Sequence, residues 1–180
     1  RTVAVTFDDL PFAAVPAENN TALEDMTARL LQGIQNAQVP ATGFVNEAKL
    51  YHEGNLDPAR VALLRSWLKA GFELGNHTAS HPSLNRVPLD AFQADVLRGE
   101  TVTRALMQSE GRPLRWFRHP FLHQGKTTDV QTAFQGFLSA RGYVVAPVTV
   151  NNSEWVFAVA YSQAQAQGDP DAVRQIGAAY

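Results

Sequence analysis

Five short apolar runs alternate with helical patterns along this chain, and four of them end in residues that a buried strand does not choose. The expected strands are Thr2–Phe7, Ala41–Asn46, Phe72–Asn76, Leu114–Arg118 and Tyr143–Val150. The first is short, apolar and β-branched, the pattern of a strand covered on both faces. Between the strands, Thr21-Ala-Leu-Glu24 reads as a capping box opening a helix whose inward face carries Leu23, Met26, Leu30 and Ile34. Residues 59–70 form a second helix with Val61, Leu64 and Leu68 inward, stopped at Gly71. Pro88 suits the first residue of one long helix carrying Leu89, Phe92, Val96 and Leu106. A helix over 128–140 follows, and helix-start signals return at Asp169. Phe44, Trp67, Phe92 and Trp116 fall on these elements and are expected in the core.

Strands separated by helices imply a parallel sheet with crossover helices, either doubly wound or closed as a barrel. In such folds the carboxyl ends of the strands share one face, and that face holds the active site. The clusters Asp8-Asp9, His77, Arg118-His119 and Asn151-Asn152 stand at strand ends. Four clusters distant in sequence are therefore expected to converge.

Composition narrows the chemistry. The chain has 180 residues, 45% of them hydrophobic, 18% charged, with a net charge of −2. This balance leaves no electrostatic footprint for nucleic acid or an anionic membrane. Without cysteine, a thiolate metal site, a cysteine nucleophile and disulfides are all excluded, so a metal must use His, Asp and Glu. No run approaches the length of a membrane span, and no signal peptide is visible. The chain opens directly on a strand-like run, which is read as a sign that an upstream segment has been removed.

His77-Thr-Ala-Ser-His81 places two imidazoles four residues apart. On one helical turn they would point the same way and bind one cation. A zinc metalloprotease needs Glu directly after the first His, and Thr78 stands there. An Asp pair before Leu10-Pro11 is an ordinary turn signal. On a regular strand Asp8 and Asp9 would face opposite ways, but where a strand breaks into a loop both can turn to the mouth of the fold. One carboxylate would complete a His-His-Asp metal site, and the other would stand ready as general base for a metal-activated water. Arg118 is the candidate counter-charge.

These segments resemble the NodB-homology polysaccharide deacetylases. The first family motif is recognisable in Thr6-Phe7-Asp8-Asp9, the second in His77–His81, and the third in Arg118-His119-Pro120-Phe121. A degraded fourth lies in Asn151-Asn152-Ser153-Glu154-Trp155, so the resemblance runs from Val3 to Trp155. It implies a distorted parallel (β/α) barrel, here a single domain over 1–180, and a zinc-dependent hydrolase, with other divalent transition metals as substitutes. Asp8 would be the general base, Asp9, His77 and His81 the zinc ligands, and Arg118 the residue that orients Asp8. The Phe121 N–H would face the developing oxyanion, and Trp155 would wall the acetyl methyl. The implied reaction is deacetylation of polysaccharide, with peptidoglycan or chitin oligomers as substrates, by an exported protein.

The sequence departs from the family pattern in three places. Leu10 stands where many members have Gly. Asn151 and Glu154 replace the Asp residues of the fourth motif, although Glu154 retains a carboxylate that could tether Arg118. The family's final Leu-x-His, whose His protonates the leaving group, has no counterpart, and the last strands of the barrel are expected to be missing. His123 is the substitute considered for the acid. His119 is expected beneath the Arg118 loop and His52 on the surface. Asn76 either orients a metal ligand or caps the turn after it. Within the same mechanism the chain could act on O-acetyl groups of xylan-like chains. A reading from another class is a glycan-binding module that keeps the metal site without turnover. Because an amine leaving group needs a proton far more than an alcohol does, acetyl esters are expected to be cleaved faster than N-acetyl groups. Equal rates on the two substrates at neutral pH would contradict this expectation.

Overall fold

The computed structural model describes residues 4–13 and 20–180. In chain order the elements are β1 (Val5–Leu10), α1 (Asn20–Ala37), β2 (Ala41–Val45) and a 3₁₀ turn (Glu47–Leu50). A hairpin of β3 (Tyr51–His52) and β4 (Asn55–Leu56) leads to α2 (Pro58–Lys69), β5 (Glu73–Asn76), α3 (Leu89–Arg98) and α4 (Thr101–Ser109). β6 (Trp116–Phe117), a second 3₁₀ turn (Pro120–Leu122), α5 (Thr128–Ala140) and β7 (Val144–Val145) follow. The main sheet has the order β1-β2-β5-β6-β7, and every neighbouring pair is parallel. Strand order thus follows chain order without reversal. This is the winding of a (β/α) barrel, not of a doubly wound sheet, whose order reverses at a switch point.

The contacts divide the chain into two compact units, 1–146 and 147–180, where the sequence reading drew one domain. The first carries the sheet. Its core joins Val45, Leu50, Leu64, Trp67 and Leu74 to Phe92, Val96, Phe117, Phe134 and Leu138 in one cluster of buried side chains. The second consists of α6 (Glu154–Ala166) and α7 (Pro170–Ala179), the latter capped by Asp169, whose carboxylate accepts the N–H groups of Asp171 and Ala172. No helix among the described residues is long and apolar enough to cross a membrane.

Several elements differ from expectation for local reasons. β1 covers Val5–Leu10, two residues of the expected strand lying outside the described residues. Thr21 lies inside α1, which already includes Asn20, and the buried stripe is Leu23, Thr27, Leu31 and Ile34, leaving Met26 and Leu30 exposed. The stripe follows i, i+4, i+8, i+11 in place of the i, i+3 start read from the apolar residues. β7 is two residues long, because Pro147 directly follows Ala146 and has no N–H to continue the ladder. Trp116 is half-buried, its indole N–H donating to Glu73. Trp155, expected outside regular structure, lies in α6 and is exposed.

The expected long helix after Pro88 is two helices, with Pro88 as the cap ahead of α3. Gly99 marks the break. A Cβ there would stand 2.4 Å from the Thr78 carbonyl carbon and 2.6 Å from the Ala79 nitrogen. The backbone of the loop after β5 therefore occupies the space a side chain would need. Past the break, the N–H groups of Val102 and Thr103 donate to the buried Glu47 carboxylate at 3.0 and 2.6 Å. An anion at a helix start satisfies donors that have no partner within the helix, so the 3₁₀ turn after β2 caps α4.

Two glycine substitutions test this packing. Gly99→Ala should lower stability by about 2 kcal/mol, because the added carbon meets backbone. Gly136→Ala, in α5 with nothing within 4 Å of the new carbon, should raise it by about 0.5–1 kcal/mol. Urea unfolding of both variants checks the contrast.

Candidate metal and catalytic site

Asp8 and Asp9 leave regular strand geometry together. The register of β1 on β2 shifts between Phe7 and Leu10, and Asp9 has φ +68°. The alternation of a strand is lost there, so both carboxylates reach the same face. Asp8 meets Arg118 Nη1 at 3.2 and 3.3 Å and lies 4.0 Å from His77 Nε2. Asp9 lies 3.8 Å from His81 Nε2. Leu10 folds over Gly43, where a Cβ would stand 2.1 Å from the Leu10 side chain, so its bulk is accommodated by β2.

The two histidines converge by a different route from the helical turn read in the sequence. His77 directly follows β5, and the segment to His81 is a loop in which Thr78 and His81 both have positive φ, +68° and +58°. The loop is held from several sides. Asn46 donates to the His77 carbonyl at 2.7 Å, Ala79 N–H donates to Asp95 O at 3.1 Å, and the Asp95 carboxylate accepts from both the N–H and hydroxyl of Ser80. The imidazole rings end 4.8 Å apart. One ligand atom each from Asp9, His77 and His81 lies within 4.8 Å of the others.

The donor chemistry suits a divalent cation. His77 is buried, and that burial pushes its pKa down to about 4. Its Nδ1 lies 2.8 Å from the Arg118 carbonyl. A carbonyl only accepts, so Nδ1 carries the proton and Nε2 keeps its lone pair on the Asp8 side. His81 is also lowered by burial, with Asp9 opposing. Two neutral imidazoles and a carboxylate, with no sulfur, form a donor set that fits zinc. The carbonyl behind His77 fixes the ring in the way such ligands are commonly supported.

Arg118 is 3% exposed, and its guanidinium is shared among three partners. Nε donates to Ala146 O at 2.8 Å, Nη1 to Asp8, and Nη2 to Thr6 Oγ1 at 3.1 Å, while the group lies 4.6 Å from the centre of the Phe44 ring. Burial lowers its pKa, with Asp8 opposing. Phe121 and Leu122 have φ +56° and +57°. The exposed Phe121 ring meets the edge of His81 at 4.5 Å and stacks on His123 at 5.6 Å, and His123 Nδ1 lies 2.8 Å from Ser83 Oγ. His119 packs on Phe117 and Phe134, as expected beneath the loop, and His52 is exposed. Asn76 caps the turn, its Oδ1 accepting Thr78 N–H at 2.7 Å, while its amide donates to Val96 O and the Tyr143 hydroxyl.

Three of the four clusters thus meet within the first unit. The fourth belongs to the second unit. There Asn151 accepts from Ser153 N–H, Asn152 Oδ1 accepts from Glu154 N–H, and Glu154 and Trp155 open α6. Lys49 was missed in the sequence. Its ammonium donates to the Asp9 carboxylate at 3.1 Å and to the Asp9 carbonyl at 3.0 Å. The strand-end rule, extended past β2, points to Asn46–Lys49. Thr6 was legible as the residue two before Asp8, on the same face of the strand.

The model of the family described as polysaccharide deacetylase matches residues 1–137. The chain belongs to that family. Its fold is also that of solved family 4 carbohydrate esterases. One from Streptomyces lividans, in complex with acetate, is 19% identical over 86% of this chain and 66% of that one, with a TM-score of 0.60. The chitin deacetylase of Colletotrichum lindemuthianum is 24% identical over 85% and 57%, also at 0.60. A CE4 family pseudoenzyme from Bacillus anthracis is 16% identical over 92% and 50%, again at 0.60. The chain therefore spans about one half to two thirds of the length of these proteins.

Burial at His119 generates a pH prediction for this family member. The ring is 7% exposed, its Nδ1 has no partner among the described residues, and burial pushes its pKa from 6.5 down to about 4. The neutral ring is the native form, whereas the unfolded chain takes up a proton below about pH 6.5. Stability is then complete above that pH and falls as pH drops through the window to about 4, by roughly 3 kcal/mol from this residue. In metal-free protein His77 adds a second loss over the same window. His119→Gln should flatten the slope of unfolding free energy against pH between 6.5 and 4 without abolishing it.

Proposed function

We propose that this chain is a metal-dependent hydrolase that removes acetyl groups from polysaccharide, with N-acetylated glycans such as peptidoglycan or chitin oligomers as its substrates. The observation that carries the reading is the placement of Asp8. It is gripped by Arg118 and stands 4.0 Å from His77 Nε2, beside a triad able to hold a cation. Asp9, His77 and His81 would hold the ion, zinc first among divalent transition metals. When bound, such an ion lowers the pKa of a water and polarises the acetyl carbonyl.

The chain's own residues supply the rest. Asp8 accepts the proton of the attacking water, and Arg118 Nη1, shared between its two oxygens, keeps that carboxylate aimed. The Phe121 N–H faces the oxyanion that develops as the carbonyl carbon becomes tetrahedral. His123, stacked behind Phe121, is the group assigned to protonate the leaving nitrogen or oxygen, giving acetate and a free amine or hydroxyl. O-acetyl groups of xylan-like chains are the alternative substrate, and the site of action is outside the cytoplasm.

The likeness to a pseudoenzyme favours a second reading, a glycan-binding module that keeps the metal and lacks turnover. One pair of variants separates the two. Protein purified without chelator should carry about one zinc per chain, and His77→Ala should lose it. Asp8→Asn should keep the zinc and lose acetate release from chitin oligomers by at least about a hundredfold. Acetate release unaffected by Asp8→Asn, or absent from zinc-loaded wild type, would sink the enzyme reading. Absence of zinc from wild type would sink both.

A further inference from the structure

The inference concerns Lys49, and it rests on the metal reading of Asp9, His77 and His81. Lys49 lies in the short 3₁₀ turn after β2, and its ammonium grips Asp9 twice, at the carboxylate Oδ1 (3.1 Å) and at the backbone carbonyl (3.0 Å). The turn that presents it is fixed by contacts other than those of Lys49 to Asp9. Glu47 is locked onto the start of α4, Ala48 N–H donates to Ala79 O, and the Lys49 carbonyl accepts from the buried Arg60 guanidinium at 3.0 Å. The lysine stem is three-quarters covered, its side chain being 25% exposed. The same Oδ1 faces His81 Nε2 at 3.8 Å. A carboxylate oxygen directed at the metal ligands therefore carries a resident cation from the protein itself.

We infer that Lys49 is a positioning residue and resident counter-ion of the metal site, holding Asp9 in its left-handed conformation and setting an upper limit on metal affinity. Its two effects oppose each other. The bond to the Asp9 carbonyl holds a ligand residue at φ +68°, and alignment by one such bond is worth roughly fivefold in affinity. A dication taking Asp9 Oδ1 as ligand shares one atom with an ammonium. Repulsion between a double and a single positive charge so close exceeds tenfold even at the dielectric of water. The site is partly covered, so the charge effect wins. A lysine that only braced the fold would give the opposite sign on removal, because the loosened ligand would bind metal less well.

The test measures zinc dissociation constants of metal-free full chain by competition with a chromophoric chelator. Wild type, Lys49→Met, Lys49→Arg and Asp9→Asn are compared, alongside the rise in Tm each shows on adding zinc. Lys49→Met should bind zinc at least tenfold more tightly and show a larger rise in Tm. Lys49→Arg, which keeps the charge, should stay within about threefold of wild type, and Asp9→Asn should lose binding. Lys49→Gln repeats the measurement if the Met variant does not fold. Equal or weaker zinc binding in the uncharged variants, with wild type binding and Asp9→Asn not, overturns the role of Lys49 and leaves the metal reading standing. No zinc binding by wild type overturns both.

Discussion

The site depends on one buried guanidinium. Arg118 is drawn into the fold by position, since it directly follows β6 and its own N–H donates to Asn76 O on β5. Once there, it must be paired, because an uncompensated buried charge is far more expensive than the pair it forms. Its partners are spread across the sheet. Thr6 and Asp8 belong to β1, and Ala146 O lies just past β7, so the two outermost strands of the five are tied through one side chain. Its carbonyl, in turn, fixes His77. Asp8, His77 and the ends of the parallel arc thus share a single anchor, and removal of that anchor would affect all of them together.

Around this anchor the backbone carries unusual strain. Asp9, Thr78, His81, Phe121 and Leu122 all adopt positive φ without being glycine. Each such residue costs on the order of 1–2 kcal/mol relative to an ordinary conformation. They occur where three chain segments leave strands β1, β5 and β6 and turn across the same face. The compensation is visible in the packing: Asp95 holds Ser80 and Ala79, Asn46 holds His77, and Gly99 opens α3 from α4 so that Thr78 and Ala79 can approach. The break between the two helices and the His77–His81 loop are therefore one feature. A continuous helix, which the apolar period alone suggests, would fill the space that the loop occupies.

This explains which parts were legible in the sequence. Strand existence followed from apolar runs between helical patterns, which left the strand order open, and convergence of Asp8, Asp9, His77, His81 and Arg118 followed from the rule that strand ends share a face. What sequence periodicity could not convey was backbone direction. His77 and His81 look like an i, i+4 pair, yet they meet through two left-handed residues in a loop. The break at Gly99 is dictated by a backbone twenty residues earlier, and Pro147 shortens β7 although the apolar run continues to Val150. Lys49 escaped notice for a related reason. The end of β2 shows no histidine or paired carboxylate, and a lone lysine after a strand reads as solvent-facing until a partner is seen. Its role depends entirely on Asp9, which lies 40 residues away in the chain.

With Lys49 included, the charge balance of the site closes without an ion. Asp8 is matched by Arg118, Asp9 by Lys49, and burial keeps His77 neutral at ordinary pH. A small zinc domain folds only around its metal, because its ligands have no other means of being satisfied. Here each carboxylate already has a cation, and the loops are held by hydrogen bonds to Asn46 and Asp95 that do not involve ligand atoms. A cation entering such a site adds positive charge to an already neutral cluster. Held by Asp9, His77 and His81, it would supply polarisation of a carbonyl or a water. That division, with structure supplied by the chain and electrophilic strength by an ion, is what the proposed hydrolase would require.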